Sequence, residues 1–169
     1  QPKSGKTTMT MHLAKAVLRG DNFLGHTTEK APVIYVNHEM STRTLAGMYA
    51  DIVSKQPGEW PLSVPLPSVP ATKEVLLNYI RQLKYDRPGL IIVDSAFPAF
   101  GLQGDEENNA GDVGPKVRSL SRLAHESGWA VVLVHHCRKN NTGARPTIQD
   151  LAGSREMMAA ADVLWVWQS

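Results

Sequence analysis

The chain has 169 residues, 42% of them hydrophobic and 20% charged, a composition typical of a soluble globular protein that predicts a single domain over residues 1–169. The formal net charge of +2 is too small to indicate a broad polyanion-binding surface, and the single cysteine, Cys137, excludes an internal disulfide bond. The polar, basic N-terminus and apolar runs far shorter than the ~20 residues of a membrane helix predict a cytoplasmic protein without membrane contact.

Hydrophobic periodicity predicts helices that alternate with short strands. Helices are expected at 6–19, 42–55, 72–86, 115–127 and 154–160, and strands at 33–36, 90–93, 129–134 and 163–167. The proline-rich stretch 56–71 is expected to be an extended surface excursion, and 21–32, 98–114 and 138–147 to be loops, with 98–114 mobile. Because the strands are apolar throughout, the pattern predicts an α/β fold with a mostly parallel sheet covered by helices on both faces. The strands also contain three tryptophans expected in the core, namely Trp129, Trp165 and Trp167.

The first candidate site residues begin the first helix. Lys3-Ser4-Gly5-Lys6-Thr7-Thr8 reads as the second half of a phosphate-binding loop, whose first glycine would fall one residue before Gln1, after a strand further upstream. In such a loop, backbone N–H groups and the helix N-terminus surround the phosphates of a nucleotide. Lys6 would reach the β- and γ-phosphate oxygens, and the Thr7 hydroxyl would bind Mg²⁺. The alternative is a chance Gly-Lys-Thr at a helix start.

Two carboxylates follow predicted strands, where ligands of a parallel sheet collect. Asp94 comes directly after strand 90–93, the Walker B arrangement, in which it accepts a water of the Mg²⁺ shell held by Thr7. The alternative role for Asp94 is that of a turn or helix cap with Ser95. Glu39 follows strand 33–36 and is a candidate general base for water that attacks the γ-phosphate. Its alternative role is a favourable charge near the start of the helix capped by Ser41.

The strand 129–134 ends in His135-His136-Cys137. Adjacent strand residues point to opposite faces, and no second Cys/His cluster completes four ligands, so a zinc site is not expected. One histidine is a candidate sensor of the γ-phosphate or the attacking water. The sequence does not decide between His135 and His136, and His135 is preferred because it is nearer to the strand.

The order of these motifs resembles that of RecA-like P-loop ATPases, and most closely the RepA-type branch of plasmid and phage hexameric helicases, related to DnaB-type replicative helicases. The matching segments run from PKSGKTT through VIYVNHEMS, GLIIVDS, NNAGDVG and VVLVHHCRK to DLAGSREMMAAADVLWVW. The resemblance implies a RecA-like core, an active homo-oligomeric ring, and ATP with Mg²⁺ bound between protomers. Relatives often carry an arginine where this chain has Ala152, so Arg155, Arg138 and Lys139 are all candidates for the arginine finger.

The resemblance also implies single-stranded DNA as a partner. Arg138, Lys139 and Arg145 lie in a loop rich in Asn and Gly and suit phosphate contacts, whereas Asp105-Glu106-Glu107 in the other loop would repel a nucleic-acid backbone. The leading hypothesis is therefore an ATPase that drives single-stranded DNA translocation. The alternatives are a nucleotide-controlled switch or accessory ATPase, a recombinase-like DNA-binding ATPase, and a P-loop small-molecule kinase.

Overall fold

A computed structural model of the protein describes residues 5–54, 61–64, 70–102, 110–135, 158–163 and 165. In this part of the chain the helices are α1 (Lys6–Arg19), α2 (Thr42–Met48), α3 (Lys73–Leu83), α4 (Ala96–Ala99) and α5 (Ala110–Ser127). A π-helical turn, Tyr49–Val53, extends α2. The strands are β1 (Asn22–Phe23), β2 (His26–Thr27), β3 (Val33–Asn37), β4 (Leu90–Asp94) and β5 (Ala130–Val134).

Within the described residues, β3, β4 and β5 form a parallel sheet with β4 in the middle. The register runs from Val33, Leu90 and Ala130 at one edge to Asn37, Asp94 and Val134 at the other, without an offset between strands. All residues of β3 and β4 are buried, whereas β5 is mostly half-buried. Since the three strands end in one row, the residues that follow them all emerge at the same edge of the sheet.

Alternating side chains divide the sheet between two hydrophobic clusters. Ile34, Val36, Ile91 and Val93 pack with residues of α3, α4 and α5, whereas Val33, Tyr35, Leu90 and Ile92 pack with residues of α1 and α2. This division follows from the period of two in an extended strand. The predicted parallel sheet with helices on both faces is therefore present.

The elements differ from the sequence prediction in three places. Residues 21–32 contain the antiparallel pair β1–β2, joined by Leu24 and Gly25, both with positive φ. Leucine is not a residue that indicates such a turn, so the hairpin was not predicted. Helix α4 extends into the start of the predicted loop 98–114. Pro98 lies in the first turn of this helix, where proline is tolerated, so it does not mark the start of a loop. Helix α5 begins before Pro115 rather than at it, which brings the fully buried Val113 into the core.

Two further expectations were wrong in part. Trp129 is buried as predicted, but Trp165 is 58% exposed and stacks on Phe23, and neither it nor Val163 lies in a strand. In the proline-rich stretch, Ser63 is buried and pairs with β3 through hydrogen bonds to Val33 and Tyr35. The predicted helix 154–160 is helical at 158–160. The described residues do not include 154–157, Trp167 or the acidic loop.

No helix in the described part of the chain is long and apolar enough to cross a membrane.

Close packing at the start of the sheet predicts that a side chain at Gly89 lowers the stability of the protein. A Cβ on Gly89 would collide with the carbonyl oxygen of Pro32 and lie 2.9 Å from its carbonyl carbon, at the point where Leu90 N donates to that oxygen. Gly89→Ala should therefore destabilise the protein by roughly 1–3 kcal/mol, the usual range for overpacking. The measurement is the free energy of unfolding in urea.

Gly47→Ala is the matched control. Gly47 lies in α2 with nothing within 4 Å of an added Cβ, so alanine should stabilise the helix by about 0.5–1 kcal/mol. Equal unfolding free energies for the two variants would show that the contact between Gly89 and Pro32 does not constrain the sheet.

Candidate nucleotide site

The structure brings the start of α1 against the end of β4. The Thr7 hydroxyl donates a 2.8 Å hydrogen bond to Asp94 Oδ2, although the two residues are 87 positions apart in the sequence. Asp94 is two residues after Ile92, which packs on the α1 side of the sheet, so the alternation of the strand directs the carboxylate to α1. Two residues that the sequence assigned to one Mg-nucleotide site therefore lie in direct contact.

The N-terminus of α1 has the features of an anion site. Gly5 precedes the helix with φ 75° and ψ 7°, a left-handed conformation that glycine adopts without a steric penalty. Glycine has no side chain with which to cap the first-turn N–H groups, and the first turn contains no acidic residue. The helix dipole and these N–H groups favour a negatively charged ligand. Lys6 and Thr7 stand at this end, and Thr8 is exposed in the same turn.

A ring of hydrogen bonds passes through one oxygen of the Asp94 carboxylate, Oδ2. The Tyr35 hydroxyl donates to Asp94 Oδ2 over 2.7 Å and lies 2.9 Å from the Thr10 hydroxyl, which in turn donates to the Thr7 carbonyl oxygen over 3.0 Å. Tyr35 and Asp94 are fully buried, and Thr10 is nearly so. We name Thr7, Thr10, Tyr35 and Asp94 the carboxylate ring. It joins α1, β3 and β4 through polar contacts inside the core.

The sequence analysis did not identify Tyr35 or Thr10. Tyr35 lies in an apolar run, yet a buried tyrosine needs a partner for its hydroxyl group. The period of two places Tyr35 on the same face of β3 as Asn37 at the strand end, which was the available indication. Thr10 lies one turn after Thr7 on α1, a spacing that places both hydroxyls on one side of the helix.

Tyr35 is held in its neutral form. Burial, followed by the negative charge of Asp94, raises the pKa of the Tyr35 hydroxyl far above its usual value, and Glu39 adds a smaller contribution in the same direction. Tyr35 therefore remains a hydrogen-bond donor to Asp94 throughout the physiological pH range.

The segment after β3 is shaped by Asn37. Its side-chain amide donates to Met40 O over 2.7 Å, its amide oxygen accepts from Met40 N over 3.1 Å, and His38 N donates to Asp94 O over 2.7 Å. These bonds close a turn that presents Glu39 to solvent. Ser41 then caps α2 by accepting from Thr44 N. Hydrogen bonds fix the turn at both ends, and the Glu39 side chain is exposed. A bound ligand could therefore reach Glu39.

His135 lies at the end of β5, on the strand next to Asp94. Its imidazole packs edge-on against Phe97, with ring centroids 4.4 Å apart, and Phe97 belongs to the cluster on the opposite face of the sheet from α1. The remaining predicted site residues lie outside the described residues: Lys3, Ser4, His136, Arg138, Lys139, Arg145 and Arg155.

The donor set at Thr7 and Asp94 suits Mg²⁺. A carboxylate accepts only, so the Thr7 proton points to Asp94 and the lone pairs of the Thr7 hydroxyl remain available to a cation. Hydroxyl and carboxylate oxygens are the hard ligands that Mg²⁺ prefers, with waters and phosphate oxygens completing its octahedral shell. Among the described residues there is no group of three or more His, Cys, Asp or Glu that could hold a metal ion. The Thr7 and Asp94 oxygens are of the chemical type that suits a Mg²⁺ ion bound together with a nucleotide.

Comparison with known protein families identifies the family of this chain. A family model described as AAA domain matches residues 1–142, most of the chain. This protein belongs to the AAA domain family. No curated protein matches its sequence significantly. Family membership supports a P-loop ATPase-like domain that binds a nucleotide, and the matched part of the AAA domain contains Lys6, Thr7, Glu39 and Asp94.

The position of Glu39 predicts a separation of binding from hydrolysis. Glu39→Gln keeps the shape of the side chain but removes its basicity, so ATP should bind normally and turnover should fall by roughly 10²–10⁴-fold. The measurements are ATP affinity by calorimetry and steady-state phosphate release. Glu74→Gln, an exposed glutamate in the first turn of α3, is the control and should retain both properties. Near wild-type turnover in Glu39→Gln would leave Glu39 as a charge that favours the start of α2.

Proposed function

We propose that this AAA domain hydrolyses Mg-ATP and uses the energy to move along single-stranded DNA, as the RecA-like ATPase core of a hexameric replicative-type helicase. The hydrogen bond between Thr7 and Asp94 is the observation that supports the ATPase part, because it joins the phosphate-binding helix to the Walker B strand. The helicase part is supported by the order of motifs along the chain, and the proposed location is the cytoplasm.

The proposed roles follow from the chemistry of phosphoryl transfer. Lys6 and the N-terminus of α1 bind the β- and γ-phosphates, while Thr7 and Asp94 hold Mg²⁺ and its water shell. When bound, Mg²⁺ supplies charge neutralisation on the phosphate oxygens. Glu39 orients and deprotonates the attacking water. His135 or His136 senses the γ-phosphate.

DNA-dependent hydrolysis tests this proposal. The Arg138, Lys139 and Arg145 side chains would bind DNA phosphates, so single-stranded DNA should stimulate ATP turnover, and the stimulation should weaken as salt is raised. Lys6→Ala should abolish nucleotide binding and turnover with or without DNA. Lys15→Ala, which removes a lysine from the middle of the same helix, should behave as wild type.

The outcomes separate the competing functions. ATP turnover that DNA does not change would favour the switch or accessory ATPase. DNA-stimulated turnover without strand unwinding would favour the recombinase-like ATPase. Unchanged ATP affinity in Lys6→Ala would overturn the assignment of the phosphate-binding loop itself.

The proposed ring predicts activity that depends on assembly. Arg155, or the pair Arg138 and Lys139, would reach the γ-phosphate of a neighbouring protomer, and a trans-acting arginine contributes roughly 10³–10⁵ in rate. Turnover per subunit should therefore rise steeply with protein concentration. Arg155→Ala, inactive alone, should regain partial activity when mixed with Lys6→Ala, because mixed interfaces pair an intact phosphate site with an intact arginine.

Arg122→Ala is the control for this mixing experiment. Arg122 is an exposed arginine of α5, and its loss should leave turnover unchanged before and after mixing. Turnover that is independent of concentration, with no rescue on mixing, would indicate a self-sufficient monomeric site.

A further inference from the structure

We propose that Tyr35 is a positioning residue for the metal site: its hydroxyl fixes the orientation of the Asp94 carboxylate for the Mg²⁺ of a bound nucleotide. This inference rests on the proposed function. It assigns a role to a residue in the middle of β3, within the hydrophobic core and outside the sequence motifs of the site.

The geometry of the carboxylate carries the argument. Asp94 Oδ2 accepts from Thr7 over 2.8 Å and from Tyr35 over 2.7 Å, so two donors from different elements meet at one oxygen. Rotation of the carboxylate about its last torsion angle would break both bonds. Thr7 is itself expected to contact the metal, whereas the partners of the Tyr35 hydroxyl in the described part of the chain, Asp94 and Thr10, both lie in the protein core.

The single proton of each hydroxyl decides the direction of the ring. Tyr35 donates its proton to Asp94, so its oxygen can only accept from Thr10. The Thr10 proton is then shared between the Tyr35 oxygen and the Thr7 carbonyl. Thr10 thereby holds the Tyr35 hydroxyl in place, and through it affects Asp94. These bonds use the hydroxyl protons of Thr7, Tyr35 and Thr10, one from each residue.

Burial makes this control effective. Tyr35 and Asp94 are fully buried, so water does not compete for their hydrogen bond, and the tyrosine ring packs in the hydrophobic cluster that contains residues of α1 and α2. Residues that orient a metal ligand without touching the metal typically contribute 10–100-fold to metal affinity. Tyr35 is one of two neutral donors to Asp94 Oδ2, so we expect its loss to lower the metal affinity about tenfold.

The experiment measures the Mg²⁺ dependence of nucleotide binding, with a fluorescent ATP analogue titrated at fixed Mg²⁺ concentrations and in EDTA. Tyr35→Phe removes the hydroxyl and keeps the ring. It should raise the Mg²⁺ concentration needed for half-maximal tight binding about tenfold and leave the affinity in EDTA unchanged. Tyr85→Phe is the matched control, because it removes a hydroxyl that bonds to Ser63 at 2.7 Å on the other side of the sheet. It should not shift the Mg²⁺ dependence.

Thr10→Val tests the direction of the ring and remains informative if Tyr35→Phe fails to fold. It should shift the Mg²⁺ dependence by a smaller factor, and the shift should disappear in a Tyr35→Phe background, since Thr10 acts through Tyr35. Additive shifts in the double variant would overturn the ring mechanism.

The remaining outcomes distinguish this proposal from the proposed function. If the wild-type protein and Tyr85→Phe bind Mg-ATP and Tyr35→Phe shows the same Mg²⁺ dependence, the role of Tyr35 is wrong and the ATPase assignment stands. Equal weakening with and without Mg²⁺ would also overturn the proposal, because it reports general damage to the site. Absence of nucleotide binding in the wild-type protein would reject the proposed function itself.

Discussion

The fully buried carboxylate of Asp94 is the constraint around which this AAA domain is organised. Burying a charge is costly unless hydrogen bonds replace water, and here Thr7 and Tyr35 supply them at one oxygen. The donors come from α1 and β3, so satisfying this oxygen requires the first helix and two strands to be in register. The group proposed to bind a metal is therefore also a group that the fold needs.

The site has a buried part and an exposed part. Asp94, Tyr35 and Thr10 lie in the core, where β3 and β4 are buried along their whole length. Glu39 and Thr8 lie at the surface, on a turn and in the first turn of a helix. Such a division places the residues proposed to position Mg²⁺ in the buried core, and the residues proposed to meet a nucleotide at the surface.

Much of this arrangement could be predicted from the sequence, because it depends on strong local patterns. Helix α1 and strands β3, β4 and β5 follow from hydrophobic periodicity, and the contact of Thr7 with Asp94 follows from the rule that polar residues at strand ends meet at one edge. What could not be predicted depends on tertiary contacts. The hairpin at Leu24 and Gly25 lacks a turn signature, the start of α5 is set by packing of Val113, and Tyr35 reads as one more core residue until its hydroxyl has a partner.

The alternation of side chains across β4 has a consequence for how this domain can vary among homologues. Between Gly89 and Asp94, every residue alternates between the α1 side and the α4–α5 side. Insertion or deletion of one residue there would change the chain by a single apolar residue but turn the carboxylate towards the side of the sheet where Phe97 packs, away from Thr7. The number of residues between Gly89 and Asp94 is therefore constrained. The apolar residues between them can be exchanged for other branched side chains. Length, more than sequence identity, is the quantity that selection must preserve in this strand.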